Sequence, residues 1–340
     1  MTMATNTQTP TLPAPRGELS AMLIERLRGE PGKPFPHTVN ADPYGEDLQL
    51  ALHTCYELHY RGFESVDPGW EWDPDLLRWR AALEAPFLDA LRADVAGGDD
   101  LDAELERLLI EPMPPSGLSE FLRTDGELWQ LREYFVHRSL YHHKEADPYA
   151  WVIPRLTGQP KASLVAVEFD EFGGGRGERV HARLYADLLA GAELNPEYLH
   201  YLDVIPAPMF SVLNMISLFG LHRARRNALV GHFATVEITS PPGARRMVEA
   251  LERLCPDPRC LLFYREHVEA DAVHEQVMRT DVIGNLVSDD PSAAADIVFG
   301  IQATGLLEDR FAAAVLDHWH RGNSSLRTGL KCDSGANRVS

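Results

Sequence analysis

His267, Asp271 and His274 follow one another at spacings of four and three residues in the stretch "EHVEADAVHEQ". In a helix each residue advances about 100°, so the three fall within an arc of roughly 60° on one face. Two neutral imidazoles and a carboxylate on one stripe suit a borderline divalent metal such as iron, zinc or manganese. The zinc-protease pattern is missed, because His274-Glu275 is followed by Met278 where the second histidine belongs. The stripe is weak alone: this composition yields such a match about once in ten chains, and a solvated helix face competes with it.

Two further constellations bear on it. Glu178-x-x-His181 has the spacing by which helical bundles draw a carboxylate and an imidazole from one turn onto a pair of irons. It follows three consecutive glycines, Gly173 to Gly175, and the pattern places Glu178 one turn into a helix over 178–191. The same glycines free Asp170 and Glu171 from helical geometry, so that Glu171 can fold back over the site. Glu145, in "YHHKEADPYAWVIPRL", is expected in the last turn of a helix. There an anion meets the unfavourable end of the helix dipole, a conflict that either a metal or water relieves. Glu237, in "ATVEITS", is a candidate for orienting an imidazole, with a cap or surface role as the alternative. Arg223, Arg225 and Arg226 are a candidate clamp for a substrate carboxylate, against the default of a solvated helix face.

The elements that must position these residues read as helices almost throughout. "EDLQLALHTCYELHYRGF" and "DPDLLRWRAALEAPFLDALRADVAGG" show apolar residues at three- and four-residue spacing, the second with Asp-Pro to start it and Gly-Gly to stop it. A further helix is expected to end near Asp147, since Pro148 disfavours helix before it. Later helices are expected over 178–191, 208–230, 231–239, 243–254, 259–279, 292–304 and 306–321. Only "ASLVAVEF" is ambiguous between helix and strand. The division expected is a disordered tail over 1–40, an accessory helical region over 41–118, the bundle over 119–328 and a disordered tail over 329–340.

The chain has 340 residues, with 32 Lys and Arg against 51 Asp and Glu, for a net charge of −19. Such an excess of acid argues against a nucleic-acid surface and against docking on anionic lipid. Four cysteines make no disulfide framework at this length, no basic and apolar leader opens the chain, and the apolar run "FSVLNMISLFGL" is too short to span a bilayer. A cytoplasmic protein is expected, with no membrane and no nucleic-acid partner.

Taken together, the motifs resemble the haem-oxygenase-like di-iron oxidases and oxygenases, the iron-containing redox enzymes. Those proteins draw one Glu from a first core helix, Glu-x-x-His from a second and His-x3-Asp-x2-His from a third. The matching residues occur here in that order: Glu145; Glu178 and His181; His267, Asp271 and His274. The likeness extends over residues 46 to 328, through "KEADPYAWVIPRL", "DEFGGGRGERVH" and "LFGLHRARRNALVGHFATVEITS". It implies an all-α, seven-helix bundle, here with an additional helical N-terminal region. It also implies two Fe(2+) ions, O2 as cosubstrate, a peroxo-diferric intermediate and an external electron donor such as a reductase or ferredoxin. Members that N-oxygenate amines carry a further carboxylate, and Glu171, seven residues before Glu178, matches it. The resemblance thus implies N-oxygenation of a small amine or amino-acid-like substrate in specialised metabolism, with a homodimer as one admissible assembly. The rivals are oxidation at C–H bonds (desaturation, C–C cleavage or decarboxylation) and an iron-binding helical protein without turnover.

Overall fold

Amphipathic helices bury their apolar stripes by packing on one another. The computed structural model describes residues 9–36, 41–111 and 113–330, apart from the side chains of 269–272. Among the described residues there is no strand, and twelve helices of seven residues or more form an all-α bundle. They are α1 (Glu18–Leu27), α2 (Glu46–Glu57), α3 (Pro74–Asp94), α4 (Leu101–Leu108), α5 (Leu118–Thr124) and α6 (Leu128–His142), then α7 (Gly158–Glu171), α8 (His181–Gly191), α9 (Ala207–Leu221), α10 (Arg226–Leu254), α11 (Pro258–Gln276) and α12 (Ala293–His320). The run "ASLVAVEF" lies within α7.

The expected N-terminal tail is only partly a tail. Residues 18–27 form α1, which buries Leu23, Ile24 and Leu27. The carboxylate of Asp47, at the start of α2, accepts from the backbone N–H groups of Leu19 at 2.9 Å and Ser20 at 2.8 Å. A side chain from the next helix thus caps α1, satisfying donors that a helix start leaves open. That cap is a tertiary contact and leaves no local mark in the sequence. Residues 1–8 and 37–40, and 331–340 at the other end, lie outside the described residues.

The helix expected over 208–230 is broken after Leu221, its last residues join those expected over 231–239 and 243–254 in one helix, and the two expected over 292–304 and 306–321 are also one. The breaks expected near Gly231 and Pro241-Pro242 both fall inside α10, which runs unbroken to Leu254. The prolines withhold the N–H groups that would bond the carbonyls of Glu237 and Ile238, but α10 is packed against α5, α11 and α12 along its length. Tertiary burial outweighs the two lost hydrogen bonds. The break expected at Gly305 likewise falls inside α12.

α10 and α12 approach so closely that glycine is required on both. A Cβ on Gly231 would lie 2.2 Å from the carbonyl oxygen of Ile297, and one on Gly300 would lie 2.0 Å from that of Ala228. Beyond α11 the chain continues as a π-helical segment, Val277–Gly284, packed on α7.

Candidate metal centre

Each candidate ligand sits at a helix end or on an inward stripe, and the local sequence explains where. α6 stops at His142, so Glu145 lies in the turn before the short helix Asp147–Ala150, not in a last helical turn as expected. The turn is pinned by a buried ion pair: Lys144 Nζ reaches Glu57 Oε2 of α2 at 2.5 Å, and Tyr198 Oη donates to Glu57 Oε1 at 2.8 Å. Removing one member of such a pair leaves an uncompensated buried charge and typically costs about 3–5 kcal/mol. Lys144→Met is therefore expected to lower stability by about that much and to weaken metal uptake through Glu145. The double variant Glu57→Gln/Lys144→Met should recover most of the stability, as thermal denaturation of the three proteins would show.

The glycines act two residues later than expected. Glu171 is the last residue of α7, and the left-handed stretch begins at Gly173 (φ +75°), followed by Gly174 and Gly175. A Cβ on Gly173 would come within 2.6 Å of the backbone of Arg179 and Val180, so the turn closes tightly on itself. Asp170 and Glu171 are thus helical, and Glu171 reaches the site from the helix end. The same turn separates Glu178 from His181. Glu178 lies exposed in the short 3₁₀ turn Gly177–Arg179, Val180 is extended (ψ 130°), and α8 opens only at His181. The expected shared helical turn is absent, and Glu178 joins neither cluster described below.

Two clusters form, each with its donor atoms within 4.8 Å of one another: Glu145, His181 and His267, and Glu171, Glu237 and His274. In the first, His181 Nδ1 lies 3.2 Å from Glu145 Oε1, and His267 Nε2 lies 3.7 Å from the same oxygen. His267 Nδ1 donates to the Phe263 carbonyl at 2.8 Å, which leaves Nε2 as the atom facing the carboxylate. His142 pairs through Nδ1 with Glu145 Oε2. In the second cluster, His274 Nδ1 lies 3.1 Å from Glu237 Oε2 and Nε2 lies 3.2 Å from Asp170 Oδ2. Glu171 joins the clusters, its Oε2 being 2.7 Å from His181 Nδ1. Asp271 lies on α11 between His267 and His274, and its side chain is outside the described residues.

The electrostatics are those of a site with more acid than base. Burial alone would raise Glu145, yet His142, with His181 and His267, holds it well below the usual carboxylate range. Burial would lower His181, but Glu171 and Glu145 outweigh it and lift the imidazole to about 11. His274 rises to about 9, as Glu237 overcomes the effect of burial. Glu168, which sequence reasoning missed, is pushed up to about 9 by burial and by the neighbouring carboxylates of Glu171 and Glu237.

Do these residues fit a metal? Glu145 Oε1 and His181 Nδ1 are buried and face each other, yet neither makes a hydrogen bond of acceptable geometry. Buried polar atoms are rarely left in that condition. Carboxylate oxygens and imidazole nitrogens converging from five chain segments are the donor set of first-row divalent metals. The two clusters, linked by the contact of Glu171 with His181, fit such a group.

A cavity of about 410 Å³ adjoins the first cluster, where His142 and His267 form part of its wall. Its lining also includes Arg138, one turn before His142 on α6 and held bidentately by Glu308 at 2.8 and 2.6 Å. A directional chain stiffens another side: Thr304 Oγ1 donates to Gly300 O at 2.7 Å and so accepts from His232 Nδ1 at 2.9 Å. His232 Nε2 then accepts from Tyr149 Oη at 2.9 Å, and Tyr149 in turn meets Tyr141 Oη at 2.9 Å. Burial lowers His232 to about 4, so it stays neutral and keeps this direction. Arg223, Arg225 and Arg226 are not among the residues of this wall.

No described helix is long and apolar enough to cross a membrane. No curated protein matches the chain. The model of one protein family, described as iron-containing redox enzyme, matches residues 132–309, just over half of the chain and the part that carries Glu145, Glu171, His181, Glu237, His267 and His274. Over that span the bundle gathers carboxylates and imidazoles into two adjoining clusters, and the chain belongs to the iron-containing redox enzyme family.

Proposed function

We propose that the protein is a two-iron, O2-using oxygenase that N-oxygenates a small amine, with electrons from an external reductase or ferredoxin. When bound, iron supplies the capture and reduction of O2. Glu145, His181 and His267 would hold one ion, and Glu171, Glu237 and His274 the other. His142 fixes the rotamer of Glu145, and the Phe263 carbonyl fixes the tautomer of His267. The cavity beside His267 would seat the substrate, with Val212, Ile216 and Met247 shedding water from its wall. Arg138 is already neutralised by Glu308, so the wall offers no unpaired cation to a substrate carboxylate, and the hydroxyls of Tyr141 and Thr235 offer neutral partners to an amine.

The observation that carries the reading is the position of Glu171, whose carboxylate belongs to one cluster and contacts the imidazole of the other. A carboxylate shared between two ions is suited to follow their change in charge during oxidation. The test is anaerobic titration with ferrous iron followed by O2 and a panel of amines. Two irons per chain and labelled oxygen recovered on nitrogen are expected, with Glu171→Ala losing product formation at least 100-fold. Label recovered only on carbon, or consumption of O2 stimulated only by a substrate lacking an amine, would favour C–H oxidation instead.

A further inference from the structure

Glu168 is 2 % exposed, and neither of its carboxyl oxygens has a hydrogen-bond partner. It lies three residues before Glu171 on α7, hence on the same face. That face also carries the buried Leu164 and Val167, while Val165 and Phe169 on the opposite side are 40 % and 57 % exposed. The orientation is therefore set by the register of an amphipathic helix, which directs Glu168 inward on the face of Glu171, outside both donor clusters of the metal-free chain. Its strongest electrostatic neighbours are Glu171, Glu237, Asp147 and Glu145, all of them acids. A carboxyl needed only to fill space would be better replaced by Leu or Met, and one needed for a polar network would show a partner.

We propose that Glu168 supplies a further carboxylate ligand to the metal pair, on the side of Glu171, Glu237 and His274. This rests on the two-iron reading and changes the membership of the site. Among the described side chains, Glu168 would join Glu145, Glu171 and Glu237 as a fourth carboxylate beside the three imidazoles of His181, His267 and His274.

The test compares Glu168→Gln and Glu168→Asp with the wild-type full chain, each metal-free and then titrated anaerobically with ferrous iron. Wild type is expected to take up two irons. Glu168→Gln is expected to keep or exceed the thermal stability of the metal-free wild type while binding the second iron more than about 100-fold more weakly. Glu168→Asp, which retains the charge on a shorter arm, should recover part of that affinity. Two irons held at wild-type affinity by Glu168→Gln would overturn the assignment of Glu168 alone. A metal-free Glu168→Gln less stable than wild type would assign the carboxyl to packing and overturn it too. A wild-type chain holding fewer than two irons would remove the two-iron reading and this assignment together.

Discussion

Gly300→Ala is expected to destabilise the protein by about 3 kcal/mol or more, although alanine normally improves a helix interior by about 1 kcal/mol. The added methyl would sit 2.0 Å from the carbonyl oxygen of Ala228 and 2.9 Å from its Cα. The obstacle is backbone, which has no rotamer by which to yield, so α10 and α12 must separate. Overpacking of a close-packed interior costs about 1–3 kcal/mol when side chains can adjust, and this case lies at or above the upper end. Separation would also stretch the Thr304–His232 hydrogen bond that stiffens the cavity wall. Thermal denaturation should show a drop of several degrees or failure to accumulate folded protein. Gly305→Ala, on the same helix with nothing within 4 Å of its Cβ, is the control and should be neutral or slightly stabilising. Equal effects at the two positions would refute the close-crossing account.

The second large effect concerns protons. His181 and His274 are raised in the metal-free protein to about 11 and about 9, so both are imidazolium at neutral pH. Their ion pairs contribute stability that is whole below the unfolded histidine value of about 6.5. It drains away as pH climbs through about 9 for His274 and about 11 for His181. Glu168, raised to about 9, acts in the same sense, since its neutral form is the one the fold accommodates. The metal-free protein should therefore lose thermal stability steadily from pH 6.5 to 9. Metal uptake runs the other way, because ligating imidazoles must be neutral. One proton displaced from His181 at the first ion, and two from His274 and Glu168 at the second, imply apparent iron affinities that rise about 10-fold and about 100-fold per pH unit near neutrality. Titrations with ferrous iron at pH 6, 7 and 8, with proton release followed in weak buffer, would measure the slope. An affinity independent of pH would show that these imidazoles are not the ligands.

How much of this was legible beforehand depends on what each residue's position is relative to. The all-α class and the inward stripe of α11 follow from periodicity, which a helix expresses directly. His267 and His274 stand out for that reason, whereas the histidine that opens α8 stood out only by its spacing from Glu178. Glu178 was different. Its spacing from His181 places the two on one turn only if the helix has already begun, and the turn at Gly173 delays it to residue 181. Glu171 stays helical, where the three glycines had been expected to free it from the helix. Glu168 carried no signal beyond lying one turn before Glu171. Its importance comes from burial without a partner, a property of the folded chain. Lys144 and Glu57 are 87 residues apart, and nothing local marks either as half of an ion pair.

That ion pair has a bearing on where the molecule can be cut. Glu57 belongs to the region expected to be accessory, and Lys144 immediately precedes the ligand Glu145. Excising residues 119–328 as a portable module would strand a buried ammonium beside the ligand turn and strip Tyr198 of its acceptor. The N-terminal helices are thus part of the framework of the candidate metal centre. Chimeras and shortened versions of this protein will need their join placed upstream of α2.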